Sequence, residues 1–468
     1  MRSLHTLAAH VNPTLTARPE LLAERQASAG DNRRMQSPAQ PPTGRDADTS
    51  VATLSNGVRV VVIAMPHLES ASVSVFVRTG SQHESRRHNG ISHLAEHMAF
   101  KGTESRSCQQ INLDAERLGA EVNAHTDKDH TAYHMRGLAQ HAGRFVQMLA
   151  DIVQHSTFPE TELEREREVL LQEYIEEDDD AFSAAYRLFD RLSYGAHAFA
   201  QPVIGTRRNI ERLTRGDLLT YVRQQYTGAN VIVGVAGNVD TDAFVREAQA
   251  AFGAMPRGSE HVVPPPAWHG GFGVRRMAGV NQSHVVLGFA SPVLTEEACH
   301  ASLVAAALLG EGMSSPLMDE IRERRGLVYY AACSADVTDI AGQFVIEASM
   351  APAKMQEFAT ELARLLHAHA DSIDPLHLER ARNQIAVRRI GVEERPFRRI
   401  EEAVQDVFVF GRVRSRAEVM DRVRAVTTQD VREAFERMMA SQASVAIAGR
   451  VPRTARESWR GLFTQPTC

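Results

Sequence analysis

One order of strands and helices runs through the chain twice, and this repeat constrains the fold more than any other feature. The helix start Leu213-Thr214-Arg215-Gly216-Asp217-Leu218 has a counterpart 213 positions later in Val426-Thr427-Thr428-Gln429-Asp430-Val431. In each, the threonine suits an N-cap and an acid three residues on favours the first turn. Both helices lead into apolar strands ending Ala-Gly, at Ala236-Gly237 and Ala448-Gly449. A third match sets Ser283-His284-Val285-Val286-Leu287 against the alternating strand that begins at Ser72, an offset of 211. The repeat predicts an α+β fold of two homologous domains, each a mainly antiparallel sheet packed with helices. Pro264, Pro265, Pro266, Gly270, Gly271 and Gly273 read as the joint between them. The expected boundaries are a tail at 1–48, a first domain at 49–262, a linker at 263–273 and a second domain at 274–468.

Residues 1–48 differ in kind. The first aromatic of the chain is Phe76, and Pro13, Pro19, Pro38, Pro41 and Pro42 break any periodicity. A disordered tail or a targeting segment is expected there. The remainder is ordinary globular sequence. The net charge of the whole chain, −6, argues against a nucleic-acid partner. No apolar run approaches the ~18 residues of a transmembrane segment. Cys108, Cys299, Cys333 and Cys468 are scattered, so neither a disulfide framework nor a cysteine zinc site is indicated.

The chemistry gathers at His93-Leu94-Ala95-Glu96-His97. On a helix His93 and His97 stand about 40° apart around the axis, and Glu96 lies about 60° to the other side of His93. Two imidazoles one turn apart can grip one zinc ion, and the neighbouring carboxylate can take a proton from water. This is the HxxEH order; a surface helix with spare histidines is the plain alternative. His83-Glu84-Ser85-Arg86-Arg87-His88 has one residue too many for such a grip and reads as a solvated loop. His125, His130 and His134 fall in a strand–turn–strand stretch. There His130 and His134 would be about 13 Å apart on one extended strand, which disfavours a second metal site. A third ligand is expected from the acid-rich helix near 160–177. Glu166 and Glu173 share a stripe there with Val169 and Leu170, but spacing alone does not choose among the acids. The run Glu176-Glu177-Asp178-Asp179-Asp180 reads as a solvated helix end, with steering of basic peptides as the other reading.

The segment His93-Leu94-Ala95-Glu96-His97-Met98-Ala99-Phe100-Lys101-Gly102-Thr103 resembles the metal helix of the pitrilysin/insulinase-type zinc peptidases. It is especially similar to the processing-peptidase β subunits and their bacterial relatives. The resemblance implies one Zn2+ per chain held by His93, His97 and Glu173, with Glu96 as general base and Glu166 behind the ligands. It implies that Gly119-Ala120-Glu121-Val122-Asn123-Ala124 is an edge strand, with Asn123 and Ala124 pairing to substrate backbone. Leu309-Gly310-Glu311-Gly312-Met313-Ser314-Ser315-Pro316-Leu317 looks like the family's glycine-rich segment, and Arg322 and Tyr329 match its substrate-holding pair. Val304-Ala305-Ala306-Ala307-Leu308, where a second HxxEH would fall, is core helix instead.

The implied protein is a zinc endopeptidase acting on peptides or unfolded chains, as half of a clamshell chamber. A homodimer, or a heterodimer with a homologous chain, would complete that chamber. A non-catalytic subunit of a peptidase-like complex is the alternative. A bacterial cytoplasmic location is expected, with the mitochondrial matrix or periplasm as the other options.

Overall fold

The computed structural model describes residues 48–459 and 461–463. All of the expected tail except Asp48 lies outside the described residues. The first half runs β1 Thr49–Thr53, β2 Arg59–Ala64, β3 Ser70–Val77, α1 Ile91–Ala99 and α2 Cys108–Arg117. It continues β4 Glu121–Thr126, β5 Thr131–Leu138, α3 Ala142–His155, α4 Glu160–Asp179 and α5 Ala181–Tyr194. It closes with α6 Arg207–Arg212, α7 Arg215–Gln225, β6 Val231–Gly237 and α8 Thr241–Phe252. Residues 256–270 have no helix or strand, so the last three positions of the expected linker belong to a strand instead.

That strand is β7, Gly271–Arg276, followed by β8 Ser283–Ala290, α9 Cys299–Gly310 and a π-helical stretch at Leu317–Glu323. Next come β9 Tyr330–Val337, β10 Gly342–Met350, α10 Met355–Asp371, α11 Pro375–Glu393 and α12 Pro396–Phe410. The last elements among the described residues are α13 Arg416–Ala425, α14 Thr428–Ala440, β11 Ser444–Gly449 and α15 Ala455–Trp459.

The sheets are ordered β1-β2-β6-β3-β5-β4 and β7-β11-β8-β10-β9, the same topology apart from the extra β1. In each, one pair is parallel (β2 with β6, β7 with β11) and the rest are antiparallel. Both expected N-caps form full capping boxes. Thr214 Oγ1 accepts from Asp217 N while Asp217 Oδ2 accepts from Thr214 N, and Thr427 and Asp430 do the same.

Register corrects one expectation. Ala71 pairs with Gly237, and Ser283 pairs with Gly449, so β3 and β8 correspond at an offset of 212 rather than 211. Matching Ser72 to Ser283 by identity ignored the faces, and a one-residue slip turns every side chain over. At 212, Val73, Val75 and Val77 align with Val285, Leu287 and Phe289, all core residues.

Each sheet buries one face under helices of its own half. Val73, Val75 and Val77 meet Ile91, Leu94 and Met98 of α1, and Phe145 and Leu149 of α3. The opposite faces are covered by exchange. Ile400, Val404 and Val407 of α12 pack on Val61, Ile63, Phe76 and Ile232 of the first sheet. Ala184, Ala185 and Phe189 of α5 pack on Val286, Val345, Ala446 and Ala448 of the second. Glycines admit the visiting helices: a Cβ on Gly234 would fall 2.4 Å from Ile400 Cγ2, and one on Gly288 would fall 2.5 Å from the Phe189 ring. Polar bonds fix the exchange. Arg59 Nη1 donates to Val407 O at 3.1 Å, and Tyr194 OH donates to Gln343 Oε1 at 3.1 Å. No helix among the described residues is long and apolar enough to cross a membrane.

This packing predicts that Gly234→Ala destabilises by about 1–3 kcal/mol through overpacking. In an Ile400→Ala background, itself costing about 2–5 kcal/mol, the same change should cost little, because the colliding methyl is gone. Denaturant midpoints of the four chains check the cycle; simple additivity would show that the two residues do not meet.

Candidate metal centre

Helix α1 is built to be held from its N-terminus. Gly90, its N-cap, has φ 99°, and a Cβ there would lie 2.9 Å from Gly205 Cα. Both Gly90 N and Ser92 N donate to the buried Glu84 carboxylate at 2.8 Å, and Asn89 Nδ2 adds a third bond at 2.9 Å. Negative charge at a helix N-terminus satisfies its free N–H groups and its dipole together. Ile91, Leu94, Ala95 and Met98 face the core. His93, Glu96 and His97 therefore line the opposite side, where α1 lies between α4 and the edge strand β4.

Three of the expected ligands come together there. His93 Nε2 is 3.9 Å and His97 Nε2 3.7 Å from Glu173 Oε2, and the ring centroids of the histidines are 4.7 Å apart. One ligand atom from each residue falls within a mutual 4.8 Å. Glu166 accepts from His97 Nδ1 at 3.2 Å, while its other oxygen is 2.6 Å from Lys101 Nζ. That bond leaves the lone pair of His97 Nε2 facing His93 and Glu173. Burial, with His97 second, lowers the His93 pKa to about 3, so this imidazole is neutral at physiological pH and its lone pair is available. Among the described residues, His93 Nδ1 is buried without a hydrogen-bond partner. Two imidazoles and a carboxylate converging at this spacing are a donor set that zinc takes with a water in the fourth position, so these residues fit the ion.

Glu96 stands beside the cluster. Thr126 Oγ1 of β4 donates to Glu96 Oε2 at 2.6 Å. Burial raises the Glu96 pKa, and the Thr126 bond opposes that rise.

On α4 the buried stripe is Leu163, Glu166 and Leu170, with Glu173 one turn further on; Val169, expected on this stripe, is 44% exposed. β4 is the outer strand of its sheet, so Asn123 and Ala124 lie on an edge. Ala124 N donates only locally, to Asn123 Oδ1 at 2.8 Å. Among the described residues, no hydrogen bond or ion pair brings Arg322 and Tyr329 to the cluster. Arg322 touches Met313 and Glu323, and Tyr329 is 64% exposed. In the second half, α9 buries Val304 to Leu309, so Ala305, Leu308 and Leu309 stand where α1 carries His93, Glu96 and His97.

Three residues of the site escaped the sequence reading. Glu84 sat inside the supposed solvated loop. Only 85–87 of that stretch are exposed, and Glu84 is buried as the α1 cap. Lys101 and Thr126 carry no spacing signal, since their partners are 65 and 30 residues away. The acidic run is structural in part: Asp178 pairs with Arg187 at 2.9 Å and Arg275 at 2.5 Å, and Asp180 caps α5 through Ser183 N at 2.7 Å. His130 belongs to the β4–β5 turn rather than to the strand of His134, and it faces His125.

Comparison with known proteins agrees with the geometry. Residues 59–206 match the family described as "Insulinase (Peptidase family M16)", and 212–385 match "Peptidase M16 inactive domain". A protein of Rickettsia bellii named "Uncharacterized zinc protease" is 30% identical over 401 residues, covering 86% of this chain and 97% of that one. A protease from Helicobacter pylori superposes with TM-score 0.79 at 21% identity, over 86% of this chain and 99% of that one. A Pseudomonas fluorescens structure titled as a peptidase M16 inactive domain superposes with TM-score 0.78 at 19% identity, with the same coverage.

The cap on α1 generates a prediction. Glu84→Ala leaves Gly90 N and Ser92 N buried without acceptors and should lower stability by on the order of 2–4 kcal/mol. Glu84→Gln, which keeps an acceptor oxygen, should lose less. Urea unfolding measures both, and equal losses would mean that the cavity, not the lost bonds, dominates.

Proposed function

Because the chain belongs to the insulinase family of peptidases, family M16, we propose that it is a zinc-dependent endopeptidase acting on peptides and extended protein tails. The observation that carries this reading is the convergence of His93, His97 and Glu173 within 4.8 Å, with Glu96 on the same helix face. A zinc ion held there would act as a Lewis acid and bring the pKa of water toward about 7.

The protein's own groups do the rest. Thr126 occupies Glu96 Oε2, which leaves Oε1 to take the proton from the attacking water and pass it to the leaving amine. Glu166 holds the tautomer and orientation of His97, and Lys101 balances the charge of Glu166. The substrate adds to the edge of β4 beside Asn123 and Ala124, displacing the local bond at Ala124 N. Main-chain bonds give affinity without strict sequence demands. Arg322 and Tyr329 then hold substrate and stabilise the developing oxyanion. They lie in the second half, where Arg322 contacts Met313 and Glu323 and Tyr329 is exposed, and in this reading they act on the metal site of a second chain. A homodimer or a heterodimer with a homologous chain results, closing a chamber that admits unfolded segments only.

Glu96→Gln should retain zinc and lose cleavage by about 10²–10⁴-fold, since the carboxylate moves protons without binding metal. Zinc content and turnover of a quenched peptide measure this, and near-normal turnover would remove Glu96 from its role. Chelation should abolish cleavage, and Glu173→Ala should lower zinc occupancy; full occupancy would pass the third ligand to another acid, Glu166 first.

Assembly has its own test. Chains carrying His93→Ala and chains carrying Arg322→Ala with Tyr329→Ala should each be inactive, and mixing them should restore activity, because one mixed site keeps every group. Mixed dimers without rescue, or an active species that sediments as a monomer, would reject action in trans.

A further inference from the structure

A second group of metal-binding side chains lies in the first half, outside the reaction just described. The β4–β5 hairpin turns tightly, with Asp127 N donating to His130 O at 2.8 Å. This folds His130 back onto His125, and their Nε2 atoms stand 3.2 Å apart. One ligand atom each from His125, Asp127 and His130 falls within a mutual 4.8 Å. Glu401 Oε1, arriving on α12 from the other half, is 3.8 Å from His125 Nε2. Asp129 Oδ1 sits 2.8 Å from His130 Nδ1, and the rings of Phe76 and Phe397 flank the histidines.

Chemistry favours an ion over a bare contact. With a cation bound, Asp129 would hold the proton on His130 Nδ1 and leave the Nε2 lone pair, which faces His125, to the ion. A carboxylate behind a histidine in this way is the usual support of a metal ligand. Two nitrogens on one tetrahedral zinc, each at about 2.0–2.1 Å, stand about 3.3–3.4 Å apart, close to the separation seen here. Two carboxylates from opposite sides complete an N2O2 set and balance a divalent charge. The sequence reading set His130 against His134 along one strand; the pairing runs across the hairpin instead.

We propose that His125, Asp127, His130 and Glu401 bind a second divalent cation of the zinc class, tying α12 of the second half to the hairpin of the first. The ion would fasten the exchanged helix next to the edge strand on which substrate is proposed to lie. The proposal stands independently of the His93–His97–Glu173 centre.

The test counts metal rather than activity. The full chain is stripped with chelator, equilibrated with zinc alone, and assayed for bound zinc by atomic absorption. A His93→Ala, His97→Ala chain should keep about one zinc, and adding His125→Asn and His130→Asn should remove it. In that His93→Ala, His97→Ala background, Asp129→Asn should weaken the remaining site about 10–100-fold, the usual effect of losing a supporting carboxylate. Glu401→Gln should weaken it as well. These two single changes keep side-chain shape and carry the test if the histidine variant does not fold, which circular dichroism reports. A His93→Ala, His97→Ala chain that retains no zinc would overturn the site, leaving a hydrogen bond between the imidazoles. Zinc retained with affinity unchanged by Asp129→Asn and Glu401→Gln would also overturn it, since the ion would be bound elsewhere.

Discussion

Neither sheet can be dry on both faces without the other half of the chain. Ile400, Val404 and Val407 are fully or almost fully buried against the first sheet, and Phe189 against the second. Burying each such side chain is worth about 1.5–3 kcal/mol, so the reciprocal covers are a large part of what makes the two halves one body. The exchange also explains the glycines at 234 and 288. They sit mid-strand, where glycine normally weakens a sheet, because the visiting helix must come within a methyl radius of the backbone.

The site depends on that arrangement. The strand β4 is an edge because the sheet ends there, and α1 lies against it with Thr126 bound to Glu96. α4 supplies Glu166 and Glu173, then turns at the Asp178–Arg275 and Asp180 contacts to deliver α5 to the other sheet. The helix that carries Glu173, the proposed third ligand, is therefore anchored at its far end by the second half. The twin α11–α12 segment makes the same crossing in reverse, and α12 brings Glu401 to the β4–β5 hairpin.

Much of this was legible in the chain because the signals are local or periodic. HxxEH declares its face within five residues, and the Thr-x-x-Asp boxes mark both helix starts. The choice of Glu173 came from resemblance, since α4 is charged nearly all round and its stripe of Leu163, Glu166 and Leu170 is thin. What could not be read was tertiary. Glu84 looks like loop charge until Gly90 and Ser92 are seen to point at it. His130 reads as a strand residue until the turn at Asp127 swings it onto His125. The 211-residue offset failed because residue identity was matched where face was the physical constraint. Nothing in sequence periodicity announces that α5 and α12 leave home, since an amphipathic helix names its apolar face and not its partner.

The exchange bears on how the molecule is made. The ribosome releases the first sheet with Val61, Ile63, Phe76 and Ile232 complete, yet their cover is encoded at 400–407, more than 160 residues after β6 ends. For that interval the nascent chain carries a bare apolar β surface, while α5 waits with Phe189 exposed for a sheet not yet translated. Domain-by-domain folding is closed to this protein. Both halves must mature together once 400–407 has emerged, and a chain that stops in the second half before 400 is left with a sticky sheet rather than a smaller folded protein.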